Sequence, residues 1–406
     1  KENRFCAERG VLPLHSFQFY SPTKVLFGAG TITEAGPAVQ AAGGRRILVL
    51  YGGGSVVTNG VLDTVLSSLD QCGITYFVEG GIRPNPLLSK AQQLLEQYAQ
   101  RDIDFLLGVG GASVLDTCKA VAMGLYGGGP IWDYFTKTRP VTGAVPVGCV
   151  LTIAAAGSET SDSAVLTNEA LSSKRGCSTP FNRPLFAIMD PETTYTLSPY
   201  QTACGVADIM LHTMERYFGA DAGENQLTDG IAEALLRDTM ENGVRAMKCP
   251  SDYHARSELM WCGSLSHNDL TGLGRPKDMS VHQLGHPLSA VYKLAHGASL
   301  TAIWPHWARY VVQFDPARFA RLGRTVLGLS EPDDQLAAEA AIQGFSAYWK
   351  QLGLPICFQD CISAQNDEAL HTLVRLCSYD GTRSIGAFCK LDETDMLAIY
   401  QMANRT

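Results

Sequence analysis

The sequence predicts an α/β N-terminal domain with a parallel sheet, followed by an all-α C-terminal domain. Three observations predict it. Short apolar runs alternate with helix-periodic stretches over the first half of the chain. Two of those runs end in Gly-rich turns. From Pro199 onward the strand signal fades, helical periodicity takes over, and acid and histidine side chains recur four residues apart.

Taken in order, Val25-Leu26-Phe27-Gly28 reads as a short strand with a Gly turn behind it. The run 47–51 is continuously apolar, as in a strand buried on both faces, and leads into Gly52-Gly53-Gly54-Ser55. A helical pattern follows to about residue 72. A strand over 74–78 precedes the Pro-punctuated loop Arg83-Pro84-Asn85-Pro86 and a helix over 87–99. The strand over 103–109 ends in Gly110-Gly111-Ala112-Ser113, with helical spacing over 114–123. Residues 124–130 read as a flexible connector, 145–150 and 185–189 as strands, and 154–160 as a small-residue loop. Helical periodicity then covers 200–218, 226–247, 254–270, 276–292, 296–312, 336–352 and 367–378, with Asp392 as N-cap of a last helix to about 403. The composition shift over 190–199 divides the chain into domains 1–197 and 198–406.

At 406 residues, 46% hydrophobic and 18% charged, the chain has the composition of a folded globular protein with room for two cores. A net charge of −8 argues against nucleic acid or an anionic membrane as a partner. No apolar run reaches the roughly 18 residues needed to span a bilayer. Residues 1–20 carry no export signal, so the expected location is the cytoplasm. Twelve cysteines without a CxxC pair read as reduced, mostly buried thiols.

Two constellations carry chemistry. The turns Gly52–Ser55 and Gly110–Ser113 let backbone amides approach a phosphate at a strand end, where the following helix N-terminus favours negative charge. The spacing is not GxGxxG, so each turn alone could be a tight strand–helix connection; two of them favour a dinucleotide. No acid follows Tyr51 to grip a ribose 2′-OH, and Ser55 leaves room for a 2′-phosphate, which leans towards NADP(H). The second constellation is Asp208 and His212, then His282 and His286, then His296. Residues four apart lie about 40° apart around a helix, on one face. Pro287 is expected to interrupt the helix, letting the chain fold back and bring His296 near His282. Three imidazoles and a carboxylate around one point suit a divalent ion such as Fe(II) or Zn(II). His15, His254, His267, His306 and His371 lack such company and read as structural or exposed.

With these residues in view, the chain resembles the iron-containing (group III) alcohol dehydrogenases over nearly its whole length, and within them the NADP-dependent butanol dehydrogenase and aldehyde reductase branch. The motifs are Phe27-Gly28-Ala29-Gly30, Tyr51 to Ser55, Gly108 to Asp116, Leu151-Thr152 with Ala156-Gly157-Ser158-Glu159, Met189-Asp190-Pro191, and the segment from His282 to His296. The resemblance implies that the parallel sheet of the α/β N-terminal domain is nucleotide-binding and that the metal site lies in the interdomain cleft, with metal ligands Asp208, His212, His282 and His296 and with His286 lining the active site without ligating. It implies a cofactor site along Gly52, Gly53, Gly54, Ser55, Asn85, Gly110, Gly111, Ala112, Ser113, Asp116, Thr152 and Lys174, and a homodimer. Ala112 stands where a third Gly is usual, and Val57 and Thr58 stand where many NADP-preferring members carry lysines.

The expected chemistry is hydride transfer between a nicotinamide and the carbonyl carbon of a short aldehyde or alcohol polarised by the metal. His286 is either a proton relay or a partner that orients His282. Alternatives are a glycerol-dehydrogenase-like polyol oxidoreductase, a metallohydrolase without nicotinamide, and a metal-stabilised binding protein. The paired Gly turns speak against the last two. Trp132, Tyr134, Phe135, Phe181 and Trp304 are candidates to wall a small apolar pocket, although such residues are more often core.

Overall fold

The apolar runs of the first half assemble into one six-stranded parallel sheet in a computed structural model that describes residues 15–219 and 225–405. Its strands are β1 (Lys24–Phe27), β2 (Arg46–Tyr51), β3 (Thr75–Glu79), β4 (Phe105–Gly110), β5 (Val147–Leu151) and β8 (Phe186–Met189), ordered β1-β8-β5-β4-β2-β3. Between β5 and β8, β6 (Ser163–Asn168) and β7 (Ser173–Ser178) form an antiparallel hairpin. Helices α1 (Ala35–Ala41), α2 (Ser55–Thr58), α3 (Val61–Gln71), α4 (Leu88–Tyr98), α5 (Ala112–Gly127) and α6 (Trp132–Phe135) connect the strands. Leu48 and Leu50 pack with α4 and α5 on one face of the sheet, and Ile47 and Val49 with α1 and α3 on the other. Burial on both faces is why these strands read as unbroken apolar runs.

The order of the strands positions the site. The chain passes from β2 outward to β3, then returns to lay β4 on the other side of β2, with Tyr51 paired to Val109. Neighbouring strands whose connections leave in opposite directions open a crevice at their carboxyl ends. Both Gly turns flank that crevice.

The second half is helical: α7 (Pro199–Tyr217), α8 (Gln226–Lys248), α9 (Tyr253–His267), α10 (Ser280–Tyr292), α11 (His296–Thr301), α12 (Trp304–Val311), α13 (Pro316–Leu327), α14 (Asp334–Gln351), α15 (Asp367–Ser378) and α16 (Glu393–Arg405). They share one core that includes Trp304, Trp307, Phe319, Phe345 and Trp349. Met260 of α9 packs against Leu115, Leu151 and Met189 and so joins this layer to the sheet.

Several expectations are corrected. The connector at 124–130 is helical as far as Gly127, because Gly124 lets α5 approach Leu95, which an added Cβ would meet at 2.7 Å. The β6–β7 hairpin has no counterpart in the sequence reading, since its second strand is polar and half open to solvent. The stretch 296–312 is two α-helices, restarted at Trp304 with Pro305 in the first turn. Helix α13 was absent from the reading. Pro287 does not interrupt its helix: α10 runs on to Tyr292. The carbonyl that proline cannot serve, Gln283 O, accepts from Cys377 Sγ at 3.4 Å instead.

Candidate metal and cofactor site

Helix α7 begins with a capping box. Ser198 Oγ accepts from Gln201 N at 3.2 Å, and Gln201 Oε1 accepts from Ser198 N at 3.3 Å. From Gly205 to Tyr217 the helix is buried throughout, so its rotation is set by packing on all sides. Asp208, His212 and Glu215 share the face that meets α10 and α11.

Asp208 Oδ1 lies 3.4 Å from His212 Nδ1, 3.6 Å from His282 Nε2 and 3.7 Å from His296 Nε2. Two donors each about 2.1 Å from a tetrahedral ion stand about 3.4 Å apart; Asp208, His212 and His282 present donor atoms within 4.8 Å of one another, and His296 reaches the same carboxylate from α11. Asp208 Oδ1, His212 Nδ1 and His282 Nε2 are buried and have no hydrogen-bond partner. Buried polar atoms without a partner are costly, and a shared cation would satisfy all three. The residues present therefore fit a divalent ion. Gly297 makes the convergence possible: a Cβ there would lie 2.2 Å from Cys204 O, so only glycine lets α11 bring His296 against α7.

Glu215 was missed in the sequence. It is fully buried; its Oε1 accepts from Val281 N at 2.5 Å and His282 N at 3.2 Å, and its Oε2 takes a short bond from His282 Nδ1. This fixes the tautomer that leaves His282 Nε2 free for an ion. Its place three residues after His212 and seven after Asp208 was the available signal. Glu215, not His286, therefore orients His282. Burial opposes a charge on His282, but the Glu215 and Asp208 carboxylates outweigh it and lift its pKa to about 9. His212, His286 and His296 are held well below the ordinary histidine value, by burial first.

His267 also departs from expectation. It lines the same cavity, its ring centroid is 4.1 Å from that of His212, and its Nδ1 donates to Ala156 O at 2.8 Å. No sequence neighbour announced it. His286 lines the cavity too, 5.9 Å from His296 between ring centroids, and its Nδ1 has no protein partner.

The cavity, of about 880 Å³, runs from these donors to both Gly turns. Gly52, Gly53, Ser55, Asn85, Gly110, Gly111, Ala112, Ser113, Asp116, Thr152 and Lys174 line it; Gly54 does not. Gly54 serves the turn instead, at φ 119°, where other residues are strained. Gly53 has open space where a Cβ would stand, and a Cβ on Gly111 would meet Ile153 at 2.9 Å. No side chain caps α5, whose first-turn amides face the cavity, as phosphate binding requires. Asp116 is engaged within the protein, accepting from Ser158 Oγ at 2.8 Å and Val165 N at 3.1 Å. Asn85 ties the two layers: its Nδ2 donates to Leu294 O at 3.2 Å and its Oδ1 accepts from Lys174 Nζ at 2.9 Å. Burial lowers the Lys174 pKa to about 8, against the pull of Asp208 and Asp116. Of the aromatic residues expected in the pocket only Phe135 lines it; Trp304 is in the helical core and Phe181 is half exposed. Tyr200 and Tyr379 line it instead.

Known proteins resemble the chain in sequence and in fold. Residues 22–191 match the family described as iron-containing alcohol dehydrogenase, and residues 202–404 match its C-terminal region. The chain is 34% identical to NADH-dependent butanol dehydrogenase A of Clostridium acetobutylicum, over 95% of this chain and 99% of that protein. It is 35% identical to the NADPH-dependent aldehyde reductase YqhD of Escherichia coli, over 86% and 89%. The crystal structure of NADH-dependent butanol dehydrogenase A from Thermotoga maritima superposes with a TM-score of 0.93 at 35% identity, covering 97% and 99% of the two chains. With both halves matched and relatives aligned end to end, the chain belongs to the iron-containing alcohol dehydrogenase family.

Proposed function

We propose that the protein is a metal-dependent, NADP(H)-linked alcohol dehydrogenase or aldehyde reductase, with residues 1–197 holding the nucleotide and 198–406 the metal. One observation carries this reading: a buried carboxylate and three imidazoles, with Asp208 Oδ1, His212 Nδ1 and His282 Nε2 unpartnered, open onto the same cavity as two Gly turns at a topological switch point. Hydrolysis would need the donors but not the turns.

Asp208, His212, His282 and His296 would hold the ion; this donor set suits Fe(II) and Zn(II) alike, and the family description favours iron. An ion there supplies Lewis acidity towards a carbonyl oxygen, and the reduced nicotinamide supplies the hydride. The aldehyde gains that hydride on carbon and a proton on oxygen, giving the alcohol. His286, in the cavity with an unpartnered Nδ1, holds or passes that proton. Glu215 keeps His282 in its ligating tautomer. The amides at Gly110–Ser113 receive phosphate, and Asn85 and Lys174 close the cavity beside it. Support for NADP(H) comes from the charges. The carboxylates lining the cavity are Asp116, Asp162 and Asp208, none at the Gly52–Ser55 turn. Glu79, at the end of the adjacent strand, is bound by Tyr98 and Gln97. The resemblance further supports a homodimer. Among the described residues no helix is long and apolar enough to cross a membrane.

The test is chelated protein reloaded anaerobically with Fe(II) or Zn(II), assayed on butanal with NADPH and NADH. The expected result is turnover only with metal, faster with NADPH. Equal turnover without metal, or none with either nucleotide, would sink the reading.

A further inference from the structure

Beside His286 the cavity holds a cluster of cations that neither the metal donors nor the Gly turns require. Tyr379 carries a guanidinium on each face, with Arg383 Cζ 3.5 Å and Arg175 Cζ 3.9 Å from its ring centroid. Lys174, Arg175, His286, Tyr379 and Arg383 all line the main cavity. The cluster is assembled from distant parts of the chain. Lys174 and Arg175 come from β7, Tyr379 caps α15, and Arg383 follows it. To present the ring, the backbone passes through three left-handed residues, Tyr379 at φ 53°, Asp380 at 57° and Gly381 at 74°. Two of these are not glycine, an arrangement that persists only where its neighbours enforce it.

The positive charge is not balanced within the protein. Arg383 Nε and Nη2 both donate to Cys377 O, at 2.9 and 2.7 Å. Arg175 Nε donates to Ser173 Oγ at 3.3 Å, and Lys174 Nζ to Asn85 Oδ1 at 2.9 Å. Among the described residues none of the three forms an ion pair with a carboxylate. The acids that line the cavity are already occupied: Asp116 by Ser158 and Val165, Asp162 within 3.9 Å of Arg183, and Asp208 among the metal donors. Three half-buried or buried like charges around one ring repel each other unless an anion joins them. Stacking on tyrosine uses the flat faces of the guanidiniums and leaves N–H edges free for an oxyanion. The cluster also lies at the reacting end, since His286 and the metal donors line the same cavity. Nucleotide phosphates have amides of their own at Gly110–Ser113, so an anion held by Arg175 and Arg383 belongs to the substrate.

We propose that Arg175, Tyr379 and Arg383, together with Lys174, form an oxyanion subsite, and that the preferred substrates are short aldehydes or alcohols bearing a carboxylate, sulfonate or phosphonate. This rests on the oxidoreductase reading and narrows its substrate class. The bond changes are the same: the carbonyl carbon takes hydride from the reduced nicotinamide, the oxygen takes a proton, and the anionic group keeps all its atoms.

The test uses metal-loaded enzyme with NADPH and four aldehydes: butanal, succinic semialdehyde, sulfoacetaldehyde and phosphonoacetaldehyde. At least one anionic aldehyde should exceed butanal by roughly tenfold or more in kcat/KM, through KM, since a charge-assisted contact is gained. Added salt should shrink that advantage. Arg383→Gln and Arg175→Gln should each lower the anionic-to-neutral ratio by roughly tenfold or more, and Arg383→Lys should recover part of it. The order among the three anions identifies the oxyanion. A stack that merely clips the hairpin to the helical layer would move both substrate classes together and leave the ratio unchanged, which overturns the inference. Butanal outrunning all three anions overturns it as well, with the oxidoreductase reading intact. Inactivity on all four aldehydes sinks both.

Discussion

Glu215 and His286 are both buried beside His282, and substitution should separate their roles. Glu215 holds the His282 ring through Nδ1 and its backbone amide, so Glu215→Gln weakens the ligand without removing it. Metal affinity should fall by about 10- to 100-fold, read by competition with a chromogenic chelator. His286 touches no ligand by hydrogen bond among the described residues. His286→Ala should retain stoichiometric metal while kcat falls by about a hundredfold, the scale of a lost proton-transfer group. Loss of metal in the His286 variant would rule out the relay. The pairing of roles was half legible: spacing put His282 and His286 on one face, but the carboxylate that orients His282 sits on another helix. Spacing alone could not choose between orienter and relay.

Helix α11 is short, and its position depends on one missing side chain. An added Cβ at Gly297 meets the backbone of Cys204, which cannot swing aside as a side chain would. Gly297→Ala should push α11 off α7 and carry His296 away from Asp208. We expect a loss of about 1–3 kcal/mol from overpacking, a lower Tm, and reduced metal content by elemental analysis. Gly230→Ala is the control: it lies within α8 with nothing in 4 Å of the new methyl. There the same substitution should raise Tm slightly, since glycine in a helix costs about 0.5–1 kcal/mol relative to alanine. Metal content unaffected at position 297 would show that α11 tolerates the methyl. Nothing in the local sequence distinguishes these two glycines; what differs is the element packed against each.

For the molecule as a whole, acid should weaken the helical layer before it titrates the surface carboxylates. His306 is buried in α12, and its Nε2–H donates to Ile356 O at 3.0 Å. Burial lowers its pKa from the ordinary 6.5 to about 4. The unfolded chain therefore binds a proton near pH 6.5 that the fold refuses until about pH 4. Stability from this group is complete above the unfolded value and is lost as pH falls through that window, by about 3 kcal/mol in all. Tm should drop between pH 7 and pH 4.5, and His306→Gln should flatten the slope. An unchanged slope in that variant would assign the acid sensitivity elsewhere.

The alternation of strands and helices was determined by the sequence, because burial on both faces of a parallel sheet leaves continuous apolar runs that local reading detects. So were the two same-face pairs, Asp208 with His212 and His282 with His286, because an interval of four residues fixes a shared helical face whatever surrounds it. The tertiary structure decided everything that depends on contact between distant segments. It set β2 beside β4 so that the Gly turns share one crevice, brought Glu215 under His282, placed His267 on His212, and gathered Arg175, Tyr379 and Arg383 into one stack. It also kept α10 whole across Pro287 by supplying a thiol from α15 to the freed carbonyl. These contacts join residues with no common period or motif, so their partners become visible only once the helices and the sheet have packed.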